Sequence, residues 1–253
     1  MVKPRSPRAD YSKIAEYYDK VRPMPADVWS SKIIEYGEIE ENCAVLDVGC
    51  GTGRFPLGIS AVKNSVVCAL DPSIEMLKQA VEKDKSRKVL WIQGDGQKLP
   101  FRDCFFNCVY MTLVIHHIED KEMALREVYR TLKKGGSCVI MTNSHSRIKR
   151  HILRDFPGVV ALDLRKFPTL PSVKKLMVKV GFREVHHHRF QHDEYMPTDE
   201  YLERVKNKYV STLTLLSEEA FQRGFKVFQQ RVKRKYGAQI KRHSGFDFVV
   251  GEK

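Results

Sequence analysis

The stretch Val45-Leu46-Asp47-Val48-Gly49-Cys50-Gly51-Thr52-Gly53-Arg54-Phe55 decides how this chain folds. A short apolar run carries a single acid, three glycines follow at alternate positions, and a helical pattern begins at the last of them. A near-continuous apolar strand belongs in a parallel sheet covered on both faces. The glycines permit a tight turn and let ligand atoms approach the backbone. Open α/β sheets bind their ligands at such turns, beyond the carboxyl ends of parallel strands. No Gly-Lys-Ser/Thr follows, so the turn is not a P-loop. Taken alone, the spacing Gly-x-Gly-x-Gly is compatible with any Rossmann-like nucleotide site.

The same alternation extends in both directions. Residues 53–62, 73–82 and 119–132 read as helices, and residues 65–70, 89–93, 105–111 and 137–142 as short apolar strands. Strands alternating with helices predict an α/β fold with a mostly parallel, Rossmann-like sheet. Upstream, residues 1–10 are basic and contain proline, and residues 11–20 and 26–39 read as helices parted at Pro23 and Pro25. Downstream, residues 144–171 are polar and basic with no clear element. Residues 172–180 read as a helix closed by Gly181, 182–190 as a strand, 198–236 as mostly helical and 246–250 as a short final strand. A helical block this long is no plain connection, so it is expected to fold over the sheet as a cap. The organisation expected is N-terminal cap helices over residues 1–40 and one main domain over 41–253, with 144–171 and 195–240 as cap insertions.

Composition bounds the function. The chain has 253 residues, 42% hydrophobic and 30% charged, which suits a globular domain and excludes a disordered or fibrous one. Its longest near-apolar run, residues 108–115, is less than half a membrane span, and the basic start has no apolar stretch after it. Cys43, Cys50, Cys68, Cys104, Cys108 and Cys138 lie scattered through apolar stretches and read as reduced core thiols of a cytoplasmic protein. The pair Cys104 and Cys108 has no second pair to complete a zinc site. The net charge of +13 is uneven. Residues 1–144 hold 21 basic and 19 acidic side chains, and residues 145–253 hold 23 and 12. The second half therefore either meets an anion (nucleic acid, an acidic metabolite or a membrane surface) or is a solvated basic face.

Two more segments bear on ligand binding. Asp71 ends the strand after the glycine turn, 20 residues beyond Gly51, where an acid can accept hydrogen bonds from ribose hydroxyls. It could equally cap the helix that starts near Pro72-Ser73. Gly94-Asp95-Gly96 follows the third strand and offers a carboxylate and a backbone N–H to an adenine edge, or is a surface turn.

The set Leu46-Asp47-Val48-Gly49-Cys50-Gly51-Thr52-Gly53, Leu70-Asp71-Pro72-Ser73, Gly94-Asp95-Gly96-Gln97-Lys98-Leu99-Pro100-Phe101, Val114-Ile115-His116-His117-Ile118 and Leu132-Lys133-Lys134-Gly135-Gly136 resembles the class I S-adenosylmethionine-dependent methyltransferases. The resemblance covers residues 40–143 and is strongest to the branch of ubiquinone/menaquinone C-methyltransferases and small-molecule methyltransferases. It implies a seven-stranded sheet with its last strand antiparallel, and S-adenosyl-L-methionine as cofactor, leaving S-adenosyl-L-homocysteine as product. By the same resemblance, Asp47, Gly49, Cys50, Gly51 and Gly53 shape the pocket for the methionine moiety. Asp71 holds the ribose, and Pro72 and Met76 line the adenine. Asp95 and Gly96 hold the adenine edge, and Thr112 and Leu113 lie beside the sulfonium. Tyr11, Tyr18 and Arg22 match the aromatic and basic character of an N-terminal helix that closes over the cofactor in related enzymes, with Arg22 placed to pair with its carboxylate.

The histidines leave alternatives open. His117, and less so His116, sits where a base could reach the acceptor, or where a side chain packs the loop. His186-His187-His188 with His192 suggests a metal, but alternate strand residues face opposite ways, and no metal site is expected. The clusters 147–150 and 231–235 are either solvated helix faces or contacts to a phosphate backbone. The activity expected is methyl transfer to a small-molecule acceptor, anionic ones among the candidates, with an RNA (tRNA) methyltransferase as the alternative. The residue three beyond Gly51 is Arg54, so the dinucleotide fingerprint Gly-x-Gly-x-x-Gly is not met.

Overall fold

A computed structural model of the chain describes residues 15, 18–21, 26–62 and 64–253; Tyr11 and Arg22 lie outside the described residues. The elements follow in the order α1 (Tyr18–Val21), α2 (Ala26–Tyr36), β1 (Ala44–Val48), α3 (Arg54–Val62), β2 (Val66–Asp71), α4 (Ile74–Lys83), β3 (Val89–Gln93) and β4 (Phe106–Thr112). Next come α5 (Lys121–Thr131), β5 (Leu132–Thr142), α6 (His145–Lys149), α7 (Val159–Lys166), α8 (Leu170–Val180) and β6 (Arg183–Pro197). The chain ends through α9 (Thr198–Lys206), a 3-10 turn (Ser211–Leu215), α10 (Glu218–Tyr236) and β7 (Gln239–Glu252).

Among the described residues the strands form one seven-stranded sheet in the order β3-β2-β1-β4-β5-β7-β6. The pairs β3-β2, β2-β1, β1-β4 and β4-β5 are parallel, while β7 runs antiparallel to both β5 and β6. The order reverses at β1, so the loops leaving β1 and β4 flank a crevice at the carboxyl edge, where doubly wound sheets bind ligands.

Two apolar layers cover the sheet, as the unbroken apolar strands require. On one face Leu46, Leu70 and Val109 pack with α5 and α8 through Leu125, Val128 and Met177. On the other, Val45, Val67 and Tyr110 pack with α2 and α3 through Trp29, Ile33 and Ile59. Within residues 1–40, α2 is thus a layer of the sheet, and its Trp29 ring meets the edges of Phe190 and Phe246 at 5.4 and 4.8 Å. A third cluster lies apart from these. It joins Leu153 and Phe156 to Met196, Tyr201, Phe228 and Ile240.

The last two strands are much longer than the expected 182–190 and 246–250. β6 and β7 pair from Arg183↔Glu252 to Pro197↔Gln239, and their far ends carry Met196 and Ile240 into the third cluster. The middle of this ribbon is polar and shows no apolar alternation. It is held by cross-strand charge: Asp193 meets Lys241 at 2.8 Å and His243 at 2.6 Å, and the Lys241 ammonium lies over the Tyr195 ring. The unassigned residues 144–171 form α6, α7 and the entry to α8. The cysteines also differ in one respect: five are buried, but Cys104 is exposed. Burial pushes the Cys68 thiol up to about 11 and Cys108 to about 12, so neither supplies a thiolate near neutrality.

The third cluster makes a direct prediction. Phe228 is fully buried between Phe156 and Tyr201. Phe228→Ala should lower the unfolding free energy by about 3–5 kcal/mol in chemical denaturation.

Candidate active site

The carboxyl edge of β1, β2 and β4 opens into a cavity of about 1000 Å³. Gly49 leaves β1 at φ 80°, and a Cβ there would meet Val114 at 2.3 Å, so this position admits only glycine. At Gly51 a Cβ would meet nothing within 4 Å, and the bare backbone faces the cavity. Gly53 differs. Its missing Cβ leaves room for the Trp91 ring, 2.3 Å from where that carbon would sit, and Gly53 does not line the cavity. Its role is to let α3 approach β3 and α4, and the ligand-shaping role read from the sequence finds no support in its surroundings.

Asp71 joins two of the loops. It is almost fully buried, and its Oδ2 accepts the Gly51 N–H at 2.8 Å while Oδ1 accepts the Ser73 N–H at 2.9 Å. Burial pushes its pKa up, and these two hydrogen bonds oppose the rise. Asp71 does not cap α4. That cap is Ser73, whose hydroxyl accepts from the Met76 N–H. The Asp71 carboxylate still reaches the cavity wall, beside Pro72 and Met76. Each carboxylate oxygen can accept more than one donor, so the group retains capacity for a ligand hydroxyl.

Asp47 is fully buried under the second apolar layer, behind the wall rather than in it. Burial pushes its carboxyl well above the usual range, with the nearby Tyr110 hydroxyl acting in the opposite sense and Asp71 reinforcing the rise. Among the described residues, neither Asp47 oxygen has a hydrogen-bond partner of good geometry. Cys50, Thr112 and Leu113 line the cavity. Leu113 adopts φ 54°, a left-handed bend that turns the chain out of β4 and carries Val114 toward Gly49. Asp95 and Gly96 are not in the wall, and the Asp95 carboxylate is engaged by the Gln97 N–H at 2.9 Å.

His116 and His117 both line the cavity. The His116 ring stacks on Phe167 at 3.8 Å and touches His117 at 4.1 Å. His116 is thus a packing bridge to the residues beyond α7, and His117 lines the cavity beside it. Of the other histidines, His187 meets Asp247 at 2.9 Å, His188 stacks on Tyr36 at 4.5 Å, and His186 is exposed. Among the described residues no three His, Cys, Asp or Glu side chains converge on a metal-sized site.

Asp19 is a residue that sequence reading missed. Its carboxylate accepts from Thr52 Oγ1 at 2.7 Å and Arg54 at 2.9 Å, and pairs with Lys83. It thereby ties α1 to the glycine turn and to α4, and sets Tyr18 at the cavity rim, with Arg54 6.0 Å from its ring. Burial would raise the Asp19 pKa, but the three donors hold it below the usual value. The acid in a short amphipathic helix gives no local sign of partners that lie 33, 35 and 64 residues away.

Comparison with known proteins agrees with this geometry. Residues 46–140 match the family described as "Methyltransferase domain". Residues 46–140 carry a methyltransferase domain. The chain is 27% identical over 207 residues to the ubiquinone/menaquinone biosynthesis C-methyltransferase UbiE of Pectobacterium carotovorum, covering 70% of this chain and 82% of that one. The UbiE of Klebsiella pneumoniae is 28% identical over 181 residues, covering 68% and 69%. Among solved structures, an Anabaena variabilis protein described as a methyltransferase of an antibiotic biosynthesis pathway superposes with TM-score 0.74 at 22% identity, over 89% of this chain and 97% of its own. A Haemonchus contortus phosphoethanolamine N-methyltransferase, solved with phosphomonomethylethanolamine and S-adenosylhomocysteine, superposes with TM-score 0.63 at 19% identity, over 96% and 57%. No helix among the described residues is long and apolar enough to cross a membrane.

The residues present fit the cofactor. The open face at Gly51 is a cradle that a Cβ would fill, and the buried Asp71 carboxylate lies beside it on the next strand end.

Two predictions follow from the turn and its tie. Gly51→Ala and Gly53→Ala both incur the left-handed cost of about 1–2 kcal/mol. Only Gly53→Ala adds an overpacking cost, against Trp91, of about 1–3 kcal/mol, and denaturation curves should separate the two variants by that amount. The Asp19 pKa is lower folded than unfolded, so its ties stabilise the fold above its ordinary value of 3.8. That contribution fades as pH falls through the lowered folded pKa. Asp19→Asn should therefore be less stable than the parent at pH 7, and the gap should close in acid.

Proposed function

We propose that this methyltransferase acts on a small anionic acceptor, held between the carboxyl edge of the sheet and the helical cluster above it, which serves as a cap. The observation that carries this reading is the unequal lining of one cavity. The glycine turn and Asp71 form its sheet side, and Arg147, Arg150, Arg154 and Arg189 enter from the other. Its size suits a small molecule, and nothing in the comparisons favours the RNA alternative. The acceptor of the Haemonchus neighbour bears a phosphate, an anion of the class proposed. The quinone-pathway names of the curated relatives suggest a carbon acceptor instead, but a guanidinium-rich wall favours a charged one.

The roles divide by position. Gly49, Cys50 and Gly51 receive the amino-acid end of S-adenosylmethionine, and Asp71 accepts from its ribose hydroxyls. Pro72 and Met76 flank the adenine. Asp95 and Gly96 receive an adenine edge, the Asp95 carboxylate keeping acceptor capacity beside its bond from the Gln97 N–H. Asp47 acts from behind the turn, underlying the loop that receives the amino-acid end. Tyr18 closes the rim, held there by Asp19.

When bound, the sulfonium would supply an activated methyl group, with its sulfur as the leaving group. Thr112 and Leu113 flank the reacting centre, and the cap excludes water and holds the acceptor's lone pair in line behind the methyl carbon. Such positioning contributes up to about 7–11 kcal/mol in oriented reactions. Where the acceptor carries a proton, His117 takes it as the new bond forms.

Asp71→Ala should weaken S-adenosylhomocysteine binding by more than about tenfold in calorimetry, the cost of removing charge-assisted hydrogen bonds. With methyl-labelled S-adenosylmethionine and pools of anionic and neutral metabolites, label should pass to an anionic compound. Transfer only to neutral compounds would contradict the acceptor class. His117→Ala should reduce turnover more than cofactor binding, and unaltered turnover would leave His117 a packing role.

A further inference from the structure

Arg147 stands just past the carboxyl end of β5, in the short helix α6, and lines the cavity. It is partly buried, yet no hydrogen bond or ion pair engages its guanidinium among the described residues. Glycine at position 245 makes its seat. A Cβ on Gly245 would fall 2.1 Å from Arg147 Nη2 and 2.8 Å from Gln191 Cγ, so the guanidinium rests on bare ribbon backbone. Gly245 has no positive φ, so conformational freedom does not explain the glycine there, whereas room for the guanidinium does.

The charges around this group do not balance. Asp247 is the nearby acid, fully buried with its pKa lowered, and its oxygens accept from other donors and not from Arg147. Oδ1 accepts from His187 at 2.9 Å and Arg189 at 3.2 Å, and Oδ2 from the Ser144 N–H at 3.0 Å. One carboxylate thus faces two guanidinium groups. Burial and the nearby Arg189 and Arg150 disfavour the charge on Arg147, with Asp247 opposing them in part. A partly buried cation that is short of hydrogen-bond acceptors is costly unless a ligand supplies them. The guanidinium fork matches the two oxygens of a carboxylate or phosphate.

We propose that Arg147, seated on Gly245 beside Arg189, binds the anionic group of the acceptor, a carboxylate or a phosphate monoester. The inference rests on the methyl-transfer reading for its meaning, because it names the residue that selects the acceptor for that reaction. Asp247 is a positioning residue in this arrangement: it orders Arg189, His187 and the start of α6 but does not bond to Arg147. Arg147 belongs to the basic cluster 147–150, and its distinction from Lys149 and Arg150 lies in the seat at Gly245.

The test uses the full chain, with and without saturating S-adenosylhomocysteine, and titrates inorganic phosphate and benzoate by calorimetry. The parent should take up at least one of them. Arg147→Ala should weaken that uptake by about tenfold or more, the worth of a charge-assisted bond. Gly245→Ala should weaken it comparably, because its methyl displaces the Arg147 guanidinium and shifts Gln191 Cγ, and its melting temperature reads any cost to the fold. Arg147→Lys should restore part of the affinity. All three should bind S-adenosylhomocysteine as the parent does. Uptake of phosphate alone would assign a phosphate monoester, and uptake of benzoate alone a carboxylate. No uptake by the parent, or equal uptake by parent and Arg147→Ala, would overturn the proposal. Failure of the parent to bind S-adenosylhomocysteine would instead overturn the methyl-transfer reading, and the arm without it would still decide whether Arg147 binds anions.

Discussion

The Asp71 carboxylate accepts one backbone N–H from the loop after β1 and another from the loop after β2. Those loops leave neighbouring parallel strands, and without a shared acceptor each part-buried N–H would need a partner of its own. The bridge fixes the open face of Gly51 against Pro72 and Met76, and the crevice takes its form from that pairing. Two further constraints act on the same turn. Val114 closes the space where Gly49 lacks a side chain, and Asp19 draws α1 onto Thr52 and Arg54. One end of the cavity is therefore built from backbone and a few short contacts, which suits a ligand with a fixed shape.

The opposite end is built differently. Asp247 lies in the β6–β7 ribbon and gathers His187, Arg189 and the Ser144 N–H around one buried carboxylate. The ribbon continues past the sheet and ends in the third apolar cluster, so that cluster is anchored through strands as well as through its own helices. Under the proposed function, a cofactor end built on the sheet and a charged, separately packed acceptor end let acceptor choice vary while the donor site stays fixed.

Much of the sheet was legible in the sequence because its inner strands are apolar on both faces, a pattern that needs no long-range information. Val66–Asp71 and Phe106–Thr112 are read within a residue of their bounds for that reason. The long ribbon was not legible beyond its inner ends. Its stability comes from pairs such as Asp193 with Lys241, which only the folded register brings together. At the site, three glycines of similar appearance proved to do different work. Gly49 accommodates Val114, Gly51 opens to the cavity, and Gly53 accommodates Trp91. Spacing alone cannot make that distinction, because it depends on what lies opposite each missing side chain. Asp19 and the seat of Arg147 on Gly245 were hidden for the same reason. Arg147 did carry one readable sign, its place just beyond the carboxyl end of a parallel strand.

The account turns on where the donor sits. A crystal structure of the full chain with S-adenosylhomocysteine measures this most directly. The account predicts the amino-acid end of the ligand against the Gly49–Gly51 backbone, its ribose hydroxyls on Asp71, and its sulfur facing the cavity wall at Thr112 and Leu113. A ligand lodged elsewhere in the cavity, or a ribose that leaves Asp71 untouched, would contradict it.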